Sequence, residues 1–166
     1  LKTYQRGDYK NMNLKVYKIR PKAKLPVRVY HLDAGMDLFY CPNGERNDII
    51  LEEGLAINPR ESKVIPTGIK VEVPFGHMLE IKNKSGIASK RMLITGACVV
   101  DPGYNGELFV NLHNIGLHTQ YIKPGAKIAQ AVLIPIVHCR IEEVINDNLN
   151  EGTLRGEGGF GSTGTK

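Results

Sequence analysis

Three stretches of this chain gather residue types that can hold and hydrolyse a phosphorylated ligand. The last twelve residues, Arg155 to Lys166, place five glycines around one arginine and one phenylalanine. Glycine lets backbone N–H groups, such as that of Gly161, come close to anionic oxygens. Arg155 offers a planar guanidinium fork for phosphate, and Ser162 and Thr163 add hydroxyl donors. Phe160, alone among small residues, keeps a free face for a flat base. The competing reading is a flexible Gly/Ser tail, which composition by itself favours. A second stretch, Val99 to Glu107, runs an apolar strand into Asp101, a Pro-Gly turn and Tyr104. Asp101 then sits where a carboxylate can be partly desolvated at a pocket rim and act as a general base. Asp before Pro-Gly is equally a turn former, and Tyr104 is either a strand-edge core residue or a stacking plate. The third stretch, Lys82 to Ala88, opens a short helix with a cation, a hydroxyl and a glycine. A helix N-terminus with free N–H groups is an anion site, and the alternative is a capped surface helix.

The elements that must position these residues are short strands. Alternating or apolar runs at Leu14 to Ile19, Gly35 to Tyr40, Ser62 to Ile65, Gly68 to Val73, His77 to Ile81, Met92 to Val100, Glu107 to Leu112 and Lys127 to Val137 read as β. In the run from Gly68, Ile69, Val71 and Val73 face one way and Lys70 and Glu72 the other. Turn dipeptides separate the runs, among them Asp101-Pro102-Gly103, Asn105-Gly106 and Pro124-Gly125. Only Ser85 to Met92 reads as a helix, with Ser85 as its cap. Many strands whose edges need closure predict a sandwich, jelly roll or barrel.

Length and composition narrow the function classes. A chain of 166 residues is one domain's worth. Its +5 net charge suits an anionic ligand but is too diffuse to demand nucleic acid, and many of its basic residues lie in the first 28 positions, a solvated arm. Cys41, Cys98 and Cys139 are scattered without C-x-x-C spacing, which predicts reduced thiols in a cytoplasmic compartment, the host's if the source is viral. No apolar run is long enough to span a bilayer as a helix, so no membrane role is expected. His113, His118 and His138 are too sparse to ligate a metal; Mg²⁺ would arrive on the ligand's phosphates. Residues 1–13 read as an N-terminal extension or cloning remnant, 14–150 as the strand-rich domain, and 151–166 as a glycine-rich C-terminal segment.

Together the segments resemble the homotrimeric dUTPase family, whose five motifs occur in order. They are Ala34 to Leu38, Lys84 to Ala88, Thr95 to Glu107, Gly125 to Gln130 and Arg155 to Gly164. The resemblance implies an all-β jelly-roll barrel, a homotrimer with three shared active sites, and a C-terminal lid crossing to a neighbour. By that resemblance Asp101 activates the water that attacks the α-phosphorus of dUTP, with Mg²⁺ on the triphosphate. The turn holding Thr95, Gly96 and Val99 would read uracil, and Tyr104 would exclude a 2′-OH. Lys84, Ser85, Gly86 and Gln130 would hold phosphates, and Asp37 would support the metal's water shell or neighbouring site groups. Arg155, Gly161, Ser162 and Thr163 would clamp the γ-phosphate under a stacked Phe160. The chain departs from the family pattern at Lys84, usually Arg; at Cys98, commonly Gly; and at Gly103, frequently Asp. Two alternatives stand beside this reading. One is a dCTP deaminase-like or bifunctional enzyme on the same fold. The other is a non-catalytic dUTP-binding protein with a regulatory protein partner.

Overall fold

The computed structural model describes residues 12–44, 50–51, 54–146, 149, 152–154 and 158. Where the sequence alternates, the chain is extended: β1 (Lys15–Lys18), β2 (Met36–Phe39), β3 (Ile50–Leu51), β4 (Gly54–Ile57), β5 (Ser62–Pro66), β6 (Ile69–Glu72) and β7 (His77–Lys82) precede the one described helix, α1 (Ser85–Arg91). β8 (Leu93–Thr95), β9 (Val99–Val100), β10 (Phe109–Asn114), β11 (Gln120–Ile122) and β12 (Lys127–Pro135) follow it. All described strand pairings are antiparallel, in the orders β1-β6, β5-β10-β8, β11-β4-β3 and β2-β12-β7-β9. These small sheets wrap a single core that includes Leu38, Ile57, Ile65, Leu79, Ile81, Val110, Leu112 and Ile128. The architecture is the expected all-β, jelly-roll-type barrel.

The alternation along β6 holds: Ile69 and Val71 are buried, as is Val73 just beyond the strand, while Glu72 is exposed. Three expectations change. The run from Met92 to Val100 is two strands, because Gly96 to Cys98 form a turn between β8 and β9. Strands β4 and β11, which pair with each other, lie outside the runs read as β. Ser85 is not the cap of α1; Lys84 holds that position in an extended conformation without a side-chain capping bond. Its ammonium is drawn instead to Asp37.

β12 is the longest strand and carries a bulge. Lys127 pairs with Phe39 but Ala129 pairs with Leu38, so Ile128 is the extra residue. Two successive residues, Ile128 and Ala129, consequently both point into the core. The bulge inverts the alternation, and Lys127 and Gln130 end on the same side of the strand. Leu79, 1% exposed, lies at the centre of β7 between Leu133 and Val100. Leu79→Ala should cost about 3 kcal/mol of unfolding free energy in urea titrations. A loss below about 1 kcal/mol would mean that this strand is not the packed centre of the barrel.

Candidate active site

Strand register assembles the first group of expected site residues. Gln130 lies across from Asp37 on one side and from Lys82 on the other. Beyond Lys82 the chain passes through Asn83 and Lys84 into α1, which presents Ser85 and Gly86 at the surface. Asp37 is 4% exposed. Its carboxylate accepts a hydrogen bond from Lys84 and meets Lys127 Nζ at 2.6 Å. Burial alone would push this carboxyl up, but the hydrogen bonds and charges of Lys127 and Lys84 outweigh it and hold Asp37 below the ordinary carboxylate range. The two ammonium groups are thus anchored from beneath while remaining partly exposed. Gln130 Nε2 donates to the Asn83 carbonyl at 2.8 Å, and Gly35 packs so closely on the glutamine that a Cβ there would overlap its Oε1. This cluster suits polyphosphate oxygens. Lys127 and Asn83 were not among the expected site residues; the bulge hides the first, and nothing local marks the second.

The second group lies on the connection from β8 to β10. Asn83 Oδ1 accepts from Thr95 N–H at 2.7 Å and Thr95 Oγ1 at 3.0 Å, and Gly96 N–H donates to Asn111 O at 2.9 Å. The Cys98 thiol folds back onto Gly96 O at 2.6 Å, and Cys98 has no positive φ. Cysteine therefore replaces glycine here without backbone strain. Ala97, Val99, Asp101, Tyr104 and Glu107 help line a cavity of about 180 Å³, floored by Ile81 and Leu108. Tyr104 is half-exposed rather than a core residue; its hydroxyl donates to Glu107 O at 3.0 Å, and Gly106 lies against that hydroxyl where a Cβ would overlap it. Asp101 is exposed rather than partly desolvated, because the turn projects from the end of β9 with nothing among the described residues over it.

Asn83 links Gln130 to Thr95, but Asp101 stands apart from the phosphate cluster within one chain. Val100 pairs with Leu79 at one edge of β7, whereas Gln130 pairs with Lys82 at the other. Asp101 is one residue beyond Val100, so roughly four residues of strand and two strand spacings separate it from Gln130, about 16 Å. Arg155, Phe160, Gly161, Ser162 and Thr163 lie outside the described residues.

A cationic cluster suited to phosphates and a small cavity beside a carboxylate suited to a base and sugar define a nucleotide hydrolase. Known proteins narrow the class. The dUTPase family model matches residues 46–164. A deoxyuridine 5′-triphosphate nucleotidohydrolase of Gloeothece citriformis is 40% identical over 155 residues, covering 92% of this chain and 97% of the relative. The Candida albicans protein of the same name is 39% identical over 152 residues, 92% of this chain and 88% of its own. Among solved structures, a mutant dUTPase of Staphylococcus bacteriophage 80alpha with dUpNHpp superposes with a TM-score of 0.77 at 27% identity, covering 92% of this chain and 99% of that one. A mutant dUTPase from phage phi11 of S. aureus, described with a structural Mg(II) ion, superposes with a TM-score of 0.70 at 25% identity over 82% of this chain and 99% of that one. The chain belongs to the dUTPase family. Its activity is that of a dUTP diphosphatase, a deoxyuridine 5′-triphosphate nucleotidohydrolase.

Asp37→Asn would leave Lys84 and Lys127 facing a neutral amide, and should cost about 3 kcal/mol at pH 7. The folded carboxyl titrates below the unfolded one, so on acidification the unfolded chain takes up this proton first. The contribution is therefore complete above about pH 4 and fades as pH falls further. Urea unfolding of both proteins should show their stability difference shrinking below that pH; a pH-independent difference would assign it to packing instead.

Proposed function

We propose that Asp101 is the general base of dUTP hydrolysis. The supporting observation is the cavity of about 180 Å³ that Asp101, Tyr104 and Val99 share, large enough for a nucleoside's base and sugar but not for its phosphates. The uracil ring enters against the turn from Thr95 to Val99, whose backbone selects it, and Tyr104 packs on the deoxyribose. The Asp101 carboxylate takes a proton from a water whose oxygen attacks the α-phosphorus. The new P–O bond forms as the bond to the bridging oxygen of the β-phosphate breaks, and the products are dUMP and pyrophosphate. Lys84, Ser85, Gly86 and Gln130 grip the phosphates, joined by Lys127. Holding the triphosphate in line with the water is most of what such a step requires.

Among the described residues no group of three or more His, Cys, Asp or Glu is arranged to hold a metal, and Asp37 already serves two lysines. That donor set fits Mg²⁺ carried by the substrate's phosphates, with Asp37 reaching it only through water. When bound, Mg²⁺ offsets charge on the phosphate oxygens.

The site is completed between chains of a homotrimer. The separation of Asp101 from Gln130 supports this, since one chain's base then works with a neighbour's phosphate cluster. So does the segment after β12, where Val137, Ile141 and Ile145 are each more than nine-tenths exposed and need a covering surface. A neighbour over Asp101 would also desolvate its carboxylate, which is exposed among the described residues. Residues 151–166 act as the lid, with Arg155, Gly161, Ser162 and Thr163 on the γ-phosphate and Phe160 over the base. No helix among the described residues is long and apolar enough to cross a membrane, and the three cysteines are free, in keeping with a cytoplasmic enzyme.

Asp101→Asn should lower kcat at least about a hundredfold, the usual scale for loss of a general base, while dUTP still binds. Pyrophosphate release measured on dUTP, dCTP, dTTP and UTP checks both rate and selectivity. An undiminished rate would remove Asp101 from its role, and ammonia released from dCTP would point to the deaminase chemistry instead.

A further inference from the structure

Arg20 and Glu107 form an enclosed ion pair away from the phosphate cluster, with side chains 21% and 11% exposed. The guanidinium grips both carboxylate oxygens end-on, Nη1 to Oε2 at 3.0 Å and Nη2 to Oε1. Nη2 also donates to the Cys41 carbonyl at 3.1 Å, and Glu107 Oε1 accepts the Gly68 N–H at 2.7 Å. The ion pair therefore joins the segment after β1, the segment after β2 and the turn between β5 and β6. The backbone of Glu107 continues the link outward, because Glu107 O accepts the Tyr104 hydroxyl at 3.0 Å. Within the Asp101–Gly106 turn the Tyr104 N–H to Asp101 O bond is long, at 3.3 Å. The next residue, Leu108, is tied to the barrel through its N–H to Ile69 O at 2.8 Å. Bidentate arginine–carboxylate pairs fix direction as well as distance, which a lone hydrogen bond does not.

We propose that Glu107, locked by Arg20, is a positioning residue that sets where the Tyr104 phenol stands and so sharpens discrimination between 2′-deoxyribose and ribose. The proposal rests on Tyr104 being the residue that packs on the sugar. Ribose differs by one oxygen atom, so exclusion by contact works only if the phenol does not yield. A phenol on a loosely held turn would move aside for the extra hydroxyl at small cost. Glu107 itself contributes no proton and needs no contact with the substrate; it acts through the carbonyl that Tyr104 bonds and through the turn's attachment to the barrel.

The test compares kcat and KM for dUTP and for UTP in Glu107→Gln, Arg20→Met, Arg20→Lys and the Arg20→Met/Glu107→Gln double variant of the full-length enzyme, with thermal melts alongside. Glu107→Gln and Arg20→Met should each narrow the dUTP-over-UTP ratio of kcat/KM by about tenfold, the scale at which a pocket's contacts discriminate. The double variant should lose no more than either single one, because both break the same link. Arg20→Lys, which keeps the charge but not the fork, should fall between Arg20→Met and wild type, and it carries the test if Glu107→Gln does not fold. Lower melting temperatures with an unchanged ratio would overturn the proposal in favour of a purely structural ion pair. Tyr104→Leu separates the two layers. If it narrows the ratio and the Glu107 and Arg20 variants do not, this inference alone fails; if it leaves the ratio unchanged, the sugar assignment fails beneath it.

Discussion

Strand β7 is hydrogen-bonded along both edges, to β12 on one side and β9 on the other. Gln130, Asp37 and Asp101 take their places from that ladder, while Thr95 and Gly96 are set by the pairing of β8 with β10. Pairing with β12 sets Gln130 beside Lys82, and β12's pairing with β2 sets Asp37 beside Gln130. Pairing with β9 delivers the chain to Asp101 near the opposite end of the strand. A slip of one residue in either register would turn these side chains to the wrong face of the sheet. The ladder also keeps Asp101 apart from Gln130 within one chain.

The charges follow the same logic. A buried carboxylate is costly unless it is paired, and a surface lysine is poorly aimed unless something holds it. Asp37 answers both needs, since its burial is offset by two ammonium groups whose heads stay at the surface. Lysine where the family usually has arginine gives up the planar fork. The second ammonium from Lys127 returns charge to the same place. Between β1 and β2 the chain carries an arginine fork, at Arg20, which grips Glu107 and the Cys41 carbonyl.

Much of this was legible in the order of residues. Alternation in Ile69 to Val73 marked a half-buried strand, and Pro-Gly and Asn-Gly dipeptides marked the turns that carry Asp101 and Tyr104. What stayed hidden has identifiable causes. Lys127 sits an odd number of positions from Gln130, so simple alternation puts the two on opposite faces; only the bulge at Ile128 reunites them. Asn83 bonds Thr95 by side chain and Gln130 by backbone, contacts twelve and forty-seven residues apart in sequence that no local pattern announces. Glu107 reads in sequence as the start of a strand, and nothing local announces Arg20, eighty-seven residues earlier, as its partner. Ser85 had the right chemistry for a cap, but Asp37 fixed Lys84 and with it the start of the helix. Cys98 stood out as a departure, yet its thiol turns back onto the loop and leaves the cavity to its neighbours.

The central claim is that base, phosphate grip and lid reach one substrate from different chains. The most direct measurement mixes two inactive proteins, Asp101→Asn and a chain lacking residues 156–166, under conditions that exchange subunits. Neither homotrimer should turn over dUTP, while mixed trimers should recover a substantial fraction of wild-type pyrophosphate release, because an intact Asp101 then meets an intact neighbour's lid. Mixtures that stay as inactive as their parents, with subunit exchange demonstrated, would contradict the claim and return the whole site to a single chain.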